Sequence, residues 1–244
     1  MCIRDSNKIL SLFGKDADGD GVEDDLIASN LFIGESTTAI YGYVIDGIYQ
    51  LGDDIPNGYH PGNYKIRDTN GDGEITVDDR VVIGSEDPAC RLSFMNKFRY
   101  KNFSLSLFFN SVLGGKDGYL GENSSALNRG DANARRWNMP AEFAADHWSP
   151  SNPNATYSRS TAAGAIVPTA YQSRSFLRLQ DINLSYDFPK SWLRNIGIEG
   201  LGLYVSGKNL FTITNWKGWD PEANSNYYGR PVLRSFTFGL NLTL

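Results

Sequence analysis

"RLSFMNKFRYKNFSLSLFFNS", Arg91 to Ser111, decides the fold class. Apolar and polar residues alternate along it with the period of a β-strand. Leu92, Phe94, Phe98 and Tyr100 share one side of a first strand, and Arg91, Ser93, Lys97 and Arg99 share the other. Phe103, Leu105, Leu107 and Phe109 then alternate with Ser104, Ser106 and Asn110. A two-residue turn at Lys101-Asn102 predicts that Tyr100 pairs with Phe103, Phe98 with Leu105 and Phe94 with Phe109. These apolar side chains then lie on one face, and a slip of one residue would destroy the match. Asn102 tolerates the positive φ that such a turn often requires.

The same pattern recurs downstream. "SFLRLQDINLSYDF", Ser175 to Phe188, reads as a strand whose apolar parity switches between Leu179 and Ile182. A bulge near Gln180 or Asp181 accounts for the switch. "GLGLYVSGKNLF", Gly200 to Phe211, is a further strand, and "LRSFTFGLNLTL" closes the sequence. In that last segment Phe236, Phe238, Leu240, Leu242 and Leu244 face one way, against Ser235, Thr237, Gly239, Asn241 and Thr243. Helical signal is scarce; "PAEFAADHW", Pro140 to Trp148, is one candidate, with Pro at its first position.

Composition agrees with β-structure: 13 Tyr, 13 Phe, 5 Trp and 25 Gly in 244 residues. A net charge of −5 leaves no basic footprint for nucleic acid. Acidic residues cluster in two Asp-rich loops, which points to cations as partners. Cys2 and Cys90 lack metal-ligand spacing, and both a disulfide and two free thiols are compatible with them. No stretch approaches the ~18 consecutive apolar residues of a membrane helix. "MCIRDS", residues 1–6, has no apolar signal region and reads as a non-native start, with residues 7–244 forming part of a longer protein's domain.

Connections alternate in length. Lys101-Asn102 is tight, Pro189 to Glu199 is moderate, and the segments 14–26, 51–90, 114–174 and 212–231 are long. Long connections are unusual inside a compact soluble domain but expected on the outer side of a transmembrane β-barrel. A tilted spanning strand needs ~9–11 residues, which these strands supply. An Arg or Lys facing lipid at mid-bilayer costs ~2–4 kcal/mol, so Lys97 and Arg99 belong on the lumen side or near the interface. A soluble β-sandwich whose apolar face is a core accounts for the alternation equally well.

Seven stretches, taken together and in order, separate the two. They are "KDADGDGVEDDLIASNLFIGEST" with "YGYVIDGIYQ"; "GNYKIRDTNGDGEITVDDRVVIGSEDP"; "FRYKNFSLSLFFNSVLGG"; "HWSPSNPNATYSR"; "SFLRLQDINLSYDFP"; "LYVSGKNLFTITNWKGWDPE"; and the ending "FTFGLNLTL". In these the chain resembles the C-terminal portion of SusC/RagA-type TonB-dependent outer-membrane transporters. The resemblance implies an all-β fold, with antiparallel strands forming the C-terminal part of a transmembrane β-barrel with long external loops. It implies an importer of glycans or peptides in the outer membrane, not an enzyme. It also implies a SusD-like lipoprotein partner, and a TonB complex engaged through a part outside this chain. The family commonly ends on an aromatic residue, whereas this chain ends on Leu244. The rival readings are a calcium-stabilised β-sandwich adhesin or carbohydrate-binding module, secreted or at the surface, and an extracellular hydrolase.

"DTNGDGEITVDD", Asp68 to Asp79, follows the spacing of an EF-hand-type calcium loop. Asp68, Asn70 and Asp72 fill positions 1, 3 and 5, with Gly73 at 6. Glu74 would lend its carbonyl at 7, Thr76 stands at 9, and Asp79 replaces the usual Glu at 12. Ile75 matches the apolar anchor at 8. The second loop offers Asp16, Asp18 and Asp20, with Gly21 at 6 and Asp24 at 9, but has Ile27 at 12. Such loops can hold Ca²⁺ as a structural brace, or can be Asx-rich turns with no ion. Catalysis finds little footing: His60 and His147 lack metal spacing and triad partners. Trp137, Trp148, Trp216, Trp219, Tyr227 and Tyr228 are candidate platforms for a sugar face, or packing residues of loops and interfaces. "GWDPE", Gly218 to Glu222, reads as a turn with a structural purpose.

Overall fold

The computed structural model describes residues 2–3 (backbone only), 7–17, 19–118, 144–159, 164–194, 197–223 and 231–244. Its main feature is a six-stranded antiparallel sheet. The long strands are β6 (Pro88–Tyr100), β7 (Phe103–Gly114), β10 (Phe176–Asp187), β11 (Gly200–Thr214) and β12 (Ser235–Thr243), in that spatial order. A two-residue β1 (Cys2–Ile3) flanks β6. Two small antiparallel sheets occupy the first third of the chain, β2 (Ala39–Gly42) with β5 (Val81–Ser85) and, between them in sequence, β3 (Ile45–Ile48) with β4 (Tyr64–Ile66). β8 (Lys116–Gly118) pairs with β9 (Tyr171–Ser173) at the ends of the longest connection. The segments 51–90 and 114–174 therefore contain strands of their own, too short for periodicity to reveal. A single helical turn, α1 (Lys190–Leu193), links β10 to β11.

The hairpin register is the one the alternation dictates: Tyr100 opposite Phe103, Phe98 opposite Leu105, Phe94 opposite Phe109. The turn itself differs from expectation. Lys101, not Asn102, has the positive φ, 51°. Lys101 Nζ lies 5.4 Å from the Tyr100 ring centre, and the Asn102 carbonyl accepts the Asp187 N–H at 2.9 Å.

The β10 bulge also falls where parity switches. Register jumps between Leu179 and Asp181 against both neighbours; against β7, where the partners Phe109 and Phe108 are consecutive, Gln180 is the extra residue. Against β11 the extra residue is on β11: Leu179 faces Phe211 and Asp181 faces Lys208, so Asn209, with φ 52°, and Leu210 both stand opposite Gln180.

Registers across the sheet collect the apolar residues on one face. Phe98, Leu105, Leu184, Val205 and Phe238 form one continuous row of partners, and Tyr100, Phe103, Tyr186, Leu203 and Leu240 a second. Nothing among the described residues covers this face: Phe98 is 56% exposed and Phe238 75%. The opposite face carries Lys97, Arg99, Ser104, Ser106, Asn183, Ser206 and Thr237, with Met95, Phe108 and Tyr204 among them. There the Tyr204 ring lies over Gly239, where a β-carbon would come within 2.2 Å of Cζ. The apolar core lies away from the sheet, where Tyr49, Tyr59 and Ile66 are buried with Tyr43, Ile55, Ile75 and Ile166 packed around them.

Of the expected helix, Pro140 to Phe143 lie outside the described residues. Ala144 and Ala145 are helical, and by His147 the chain has entered a bridge with Tyr157.

Candidate functional site

Arg178 stands on the polar face of β10, and its side chain is 3% exposed. One amino group, Nη2, donates to both Asp220 oxygens at 2.9 and 2.8 Å; Nη1 donates to Glu222 Oε2, and Nε to the Thr212 hydroxyl at 2.9 Å. The guanidinium also lies 4.8 Å over the Phe176 ring. A neighbouring Arg174 donates to the carbonyls of Pro221 and Glu222. The "GWDPE" turn is thus fastened to the sheet by two arginines, which is the structural purpose the sequence suggested. Arg178 is the residue that sequence reasoning missed. Its signal was a lone cation in the apolar run "SFLRLQ", but its partners lie 42 and 44 residues away.

Beside this cluster a cavity of about 200 Å³ opens between β11 and the Pro231–Arg234 segment. Arg178, Asn209, Thr212, Thr214, Trp219 and Arg234 contribute to its lining. Trp219 is 64% exposed. Trp148 and Trp216, by contrast, are buried. Trp148 Nε1 donates to Gln50 Oε1 at 2.9 Å, and its ring fills the space beside Gly62. Trp216 packs on Gly218. Trp137, Tyr227 and Tyr228 lie outside the described residues. His60 is an exposed turn residue, as its sequence context implied.

The two Asp-rich loops share one internal geometry. Asp68 accepts the N–H groups of Gly71 and Gly73, and Asp16 accepts those of Gly19 and Gly21, at 2.6–2.9 Å. Asp72 accepts from Glu74, and Asp20 from Val22, each at 2.8 Å. Each loop also ties the amide following its first Asp to a later carboxylate: Thr69 to Asp79 and Ala17 to Asp24. Asp18 lies outside the described residues.

Asp79 departs most from its expected part. It is fully buried, and its oxygens accept the N–H groups of Thr76 and Thr69 at 2.8 Å each. Thr76, expected at the ion, instead caps the 3-10 turn Val77–Asp79, forming a capping box with Asp79. These hydrogen bonds to the charged form, from Thr76 first and then Thr69, hold the Asp79 carboxyl below the usual carboxylate range. Asp68, Asn70, Asp72 and Glu74 stand on the loop turn itself, and Asp79 is engaged by two backbone amides at its end. Among the described residues no three His, Cys, Asp or Glu side chains form a metal-holding group. Ile75 packs against the buried tyrosine cluster, as an anchor should.

No family model matches the chain. It is 35% identical over 231 residues to TonB-dependent receptor P3 of Formosa agariphila, covering 86% of this chain and 22% of that protein. TonB-dependent receptor P26 of the same organism is 31% identical over the full chain and 26% of its own length. TonB-dependent receptor SusC of Bacteroides thetaiotaomicron is 25% identical, over 83% of this chain and 20% of that one. The chain therefore spans about a quarter of the curated relatives it matches. Among solved structures, the RagAB peptide transporter superposes with a TM-score of 0.61 at 21% identity, covering 86% of this chain and 23% of that chain. That likeness identifies the antiparallel sheet as a section of a transporter-type β-barrel wall. The order of the seven stretches, the two-faced sheet and these relatives agree: the chain belongs to the TonB-dependent receptors of the SusC/RagA type.

Proposed function

We propose that this chain forms part of the wall and outer loops of an outer-membrane, TonB-dependent importer of oligosaccharides or peptides. The observation that carries the reading is the two-faced sheet. An apolar face left uncovered across β6, β7, β10, β11 and β12 suits hydrocarbon, and the hydroxyl- and charge-bearing face suits a watery lumen. Aromatics at the tight-turn end support it. Phe103, Tyr186, Phe188 and Trp192 follow one another at ring separations of 4.6, 5.0 and 6.5 Å, with Tyr100 and Trp192 exposed, as at a membrane interface.

In this reading the tight turn faces the periplasm, and the Asp-rich loops and the "GWDPE" turn lie towards the outside. A SusD-like lipoprotein covers the outer loops, and TonB acts through a part of the receptor outside this chain. Calcium serves as a structural ion on the Asp68 loop, where the shared loop geometry supplies part of a coordination shell. The reading implies no catalysis by this chain.

The test uses the full-length receptor. It requires detergent for extraction and migrates differently in gels before and after heating; cells lacking it lose uptake of one class of oligosaccharide or peptide. A receptor that is freely soluble without detergent would instead support the adhesin-like β-sandwich and end the importer reading.

A further inference from the structure

The geometry points to the cavity beside the β10–β11 double irregularity as a subsite for a neutral sugar ring, with Trp219 as its stacking platform. This rests on the importer reading and narrows it to one class of cargo at one place.

Three independent features converge there. First, Trp219 is 64% exposed although it lies between the fixed neighbours Gly218 and Asp220, so its indole is presented by a fastened turn. An aromatic face offered in this way suits the apolar C–H face of a pyranose. Second, the wall is built of hydroxyl, amide and guanidinium groups: Thr212, Thr214, Asn209, Arg178 and Arg234. Arg178 is buried at the base, and its charge is matched by Asp220 and Glu222. Third, Asn209 lines the cavity while holding φ 52°, and its amide donates to the Leu233 carbonyl at 3.1 Å. Positive φ in a non-glycine residue and strand irregularities both concentrate at ligand sites.

The choice of sugar over peptide follows from what lines the cavity: an exposed indole beside the hydroxyl, amide and guanidinium groups of Thr212, Thr214, Asn209, Arg178 and Arg234, which suit a sugar's C–H face and its hydroxyls. Beyond Lys208 β11 is paired by β10 alone, so a peptide lying along its other edge is the competing occupant that the peptide arm of the experiment tests.

The experiment uses the full-length receptor in detergent. Short neutral oligosaccharides of glucose, mannose and xylose units are titrated in turn, with oligo-alanine and oligo-serine peptides alongside. At least one sugar should bind and change indole fluorescence. Trp219→Ala should weaken its binding about tenfold, Trp219→Phe should retain most of the affinity but lose the fluorescence change, and both variants should keep the heat-dependent gel shift. Unchanged affinity in Trp219→Ala, no neutral sugar bound by the unaltered receptor, or Trp219-dependent binding of the peptides instead would each overturn the subsite. Loss of the gel shift in the unaltered receptor would strike the importer reading itself, so the two failures are distinguishable.

Discussion

The Arg178 guanidinium, on the third residue of β10, grips both carboxylate oxygens of Asp220, 42 residues further along the chain. Both side chains are nearly free of solvent, at 3% and 9% exposure. The pair joins the sheet to the turn that carries Trp219, so its loss should be felt in the loop first.

Asp220→Ala leaves Arg178 buried without its main partner. Breaking such a pair costs about 3–5 kcal/mol. Thermal unfolding of the full-length receptor in detergent should shift down, and protease should cut sooner near residues 215–223. Glu222→Ala should cost less, because that side chain is 38% exposed. A double-mutant cycle with Arg178→Met should give a coupling well above zero; simple additivity would show that the two residues do not act as a unit.

Leu107→Arg and Ser206→Arg separate the two faces. Leu107 faces outward at mid-strand, opposite Asn96 and Ile182; Ser206 faces the polar side, opposite Asn183 and Thr237. The first should cost ~2–4 kcal/mol in bilayer folding equilibria, and the second much less. Equal costs would mean that the apolar face does not meet lipid.

Gly62 has φ +90°, and a β-carbon there would come within 2.4 Å of the Trp148 ring and 2.8 Å of Arg159 Cβ. Its carbonyl also accepts the Arg159 N–H, and its own N–H donates to Tyr49. Gly62→Ala should therefore loosen the outer loops, exposing Trp148 to quencher and the 144–159 segment to protease, without altering the gel shift of the barrel.

Asp79 sets a pH limit on the loop it caps. Its folded carboxyl titrates below the ordinary value, so the unfolded chain takes up the proton first as pH falls. The contribution is complete above the unfolded value of about 4 and disappears as pH drops through the lower folded value. Amide exchange at Thr69 and Thr76 should stay slow from neutral pH down to about 4 and quicken below it. In Asp79→Asn that acid limb should be absent.

Calcium can be tested on the same loop by calorimetry. Extracellular sites of this kind have dissociation constants of ~10⁻⁴–10⁻³ M. The receptor should release heat on calcium addition, and Asp68→Ala and Asp72→Ala should reduce it. Identical heats in all three proteins would leave the loop as a self-braced turn.

The amino-acid order by itself determined the hairpin register, the two faces and the irregularity at Gln180. Each is a matter of which of two sides a residue takes, and a shift by one position reverses the answer. It also carried the family, through stretches spread along nearly the whole chain. The tertiary structure alone decided what the isolated polar and aromatic residues do. Arg178 acquires its role from carboxylates that the chain brings back only after β11 is laid down. Trp148 and Trp216 are buried and Trp219 is not, although all three lie in similar polar stretches, because burial depends on which glycine or glutamine arrives beside each ring. Asp79 caps a turn because the fold places the Thr69 and Thr76 amides at hydrogen-bonding distance from it. Periodicity is local and can be read along the chain; these partnerships span 3 to 98 residues, and only the folded path fixes them.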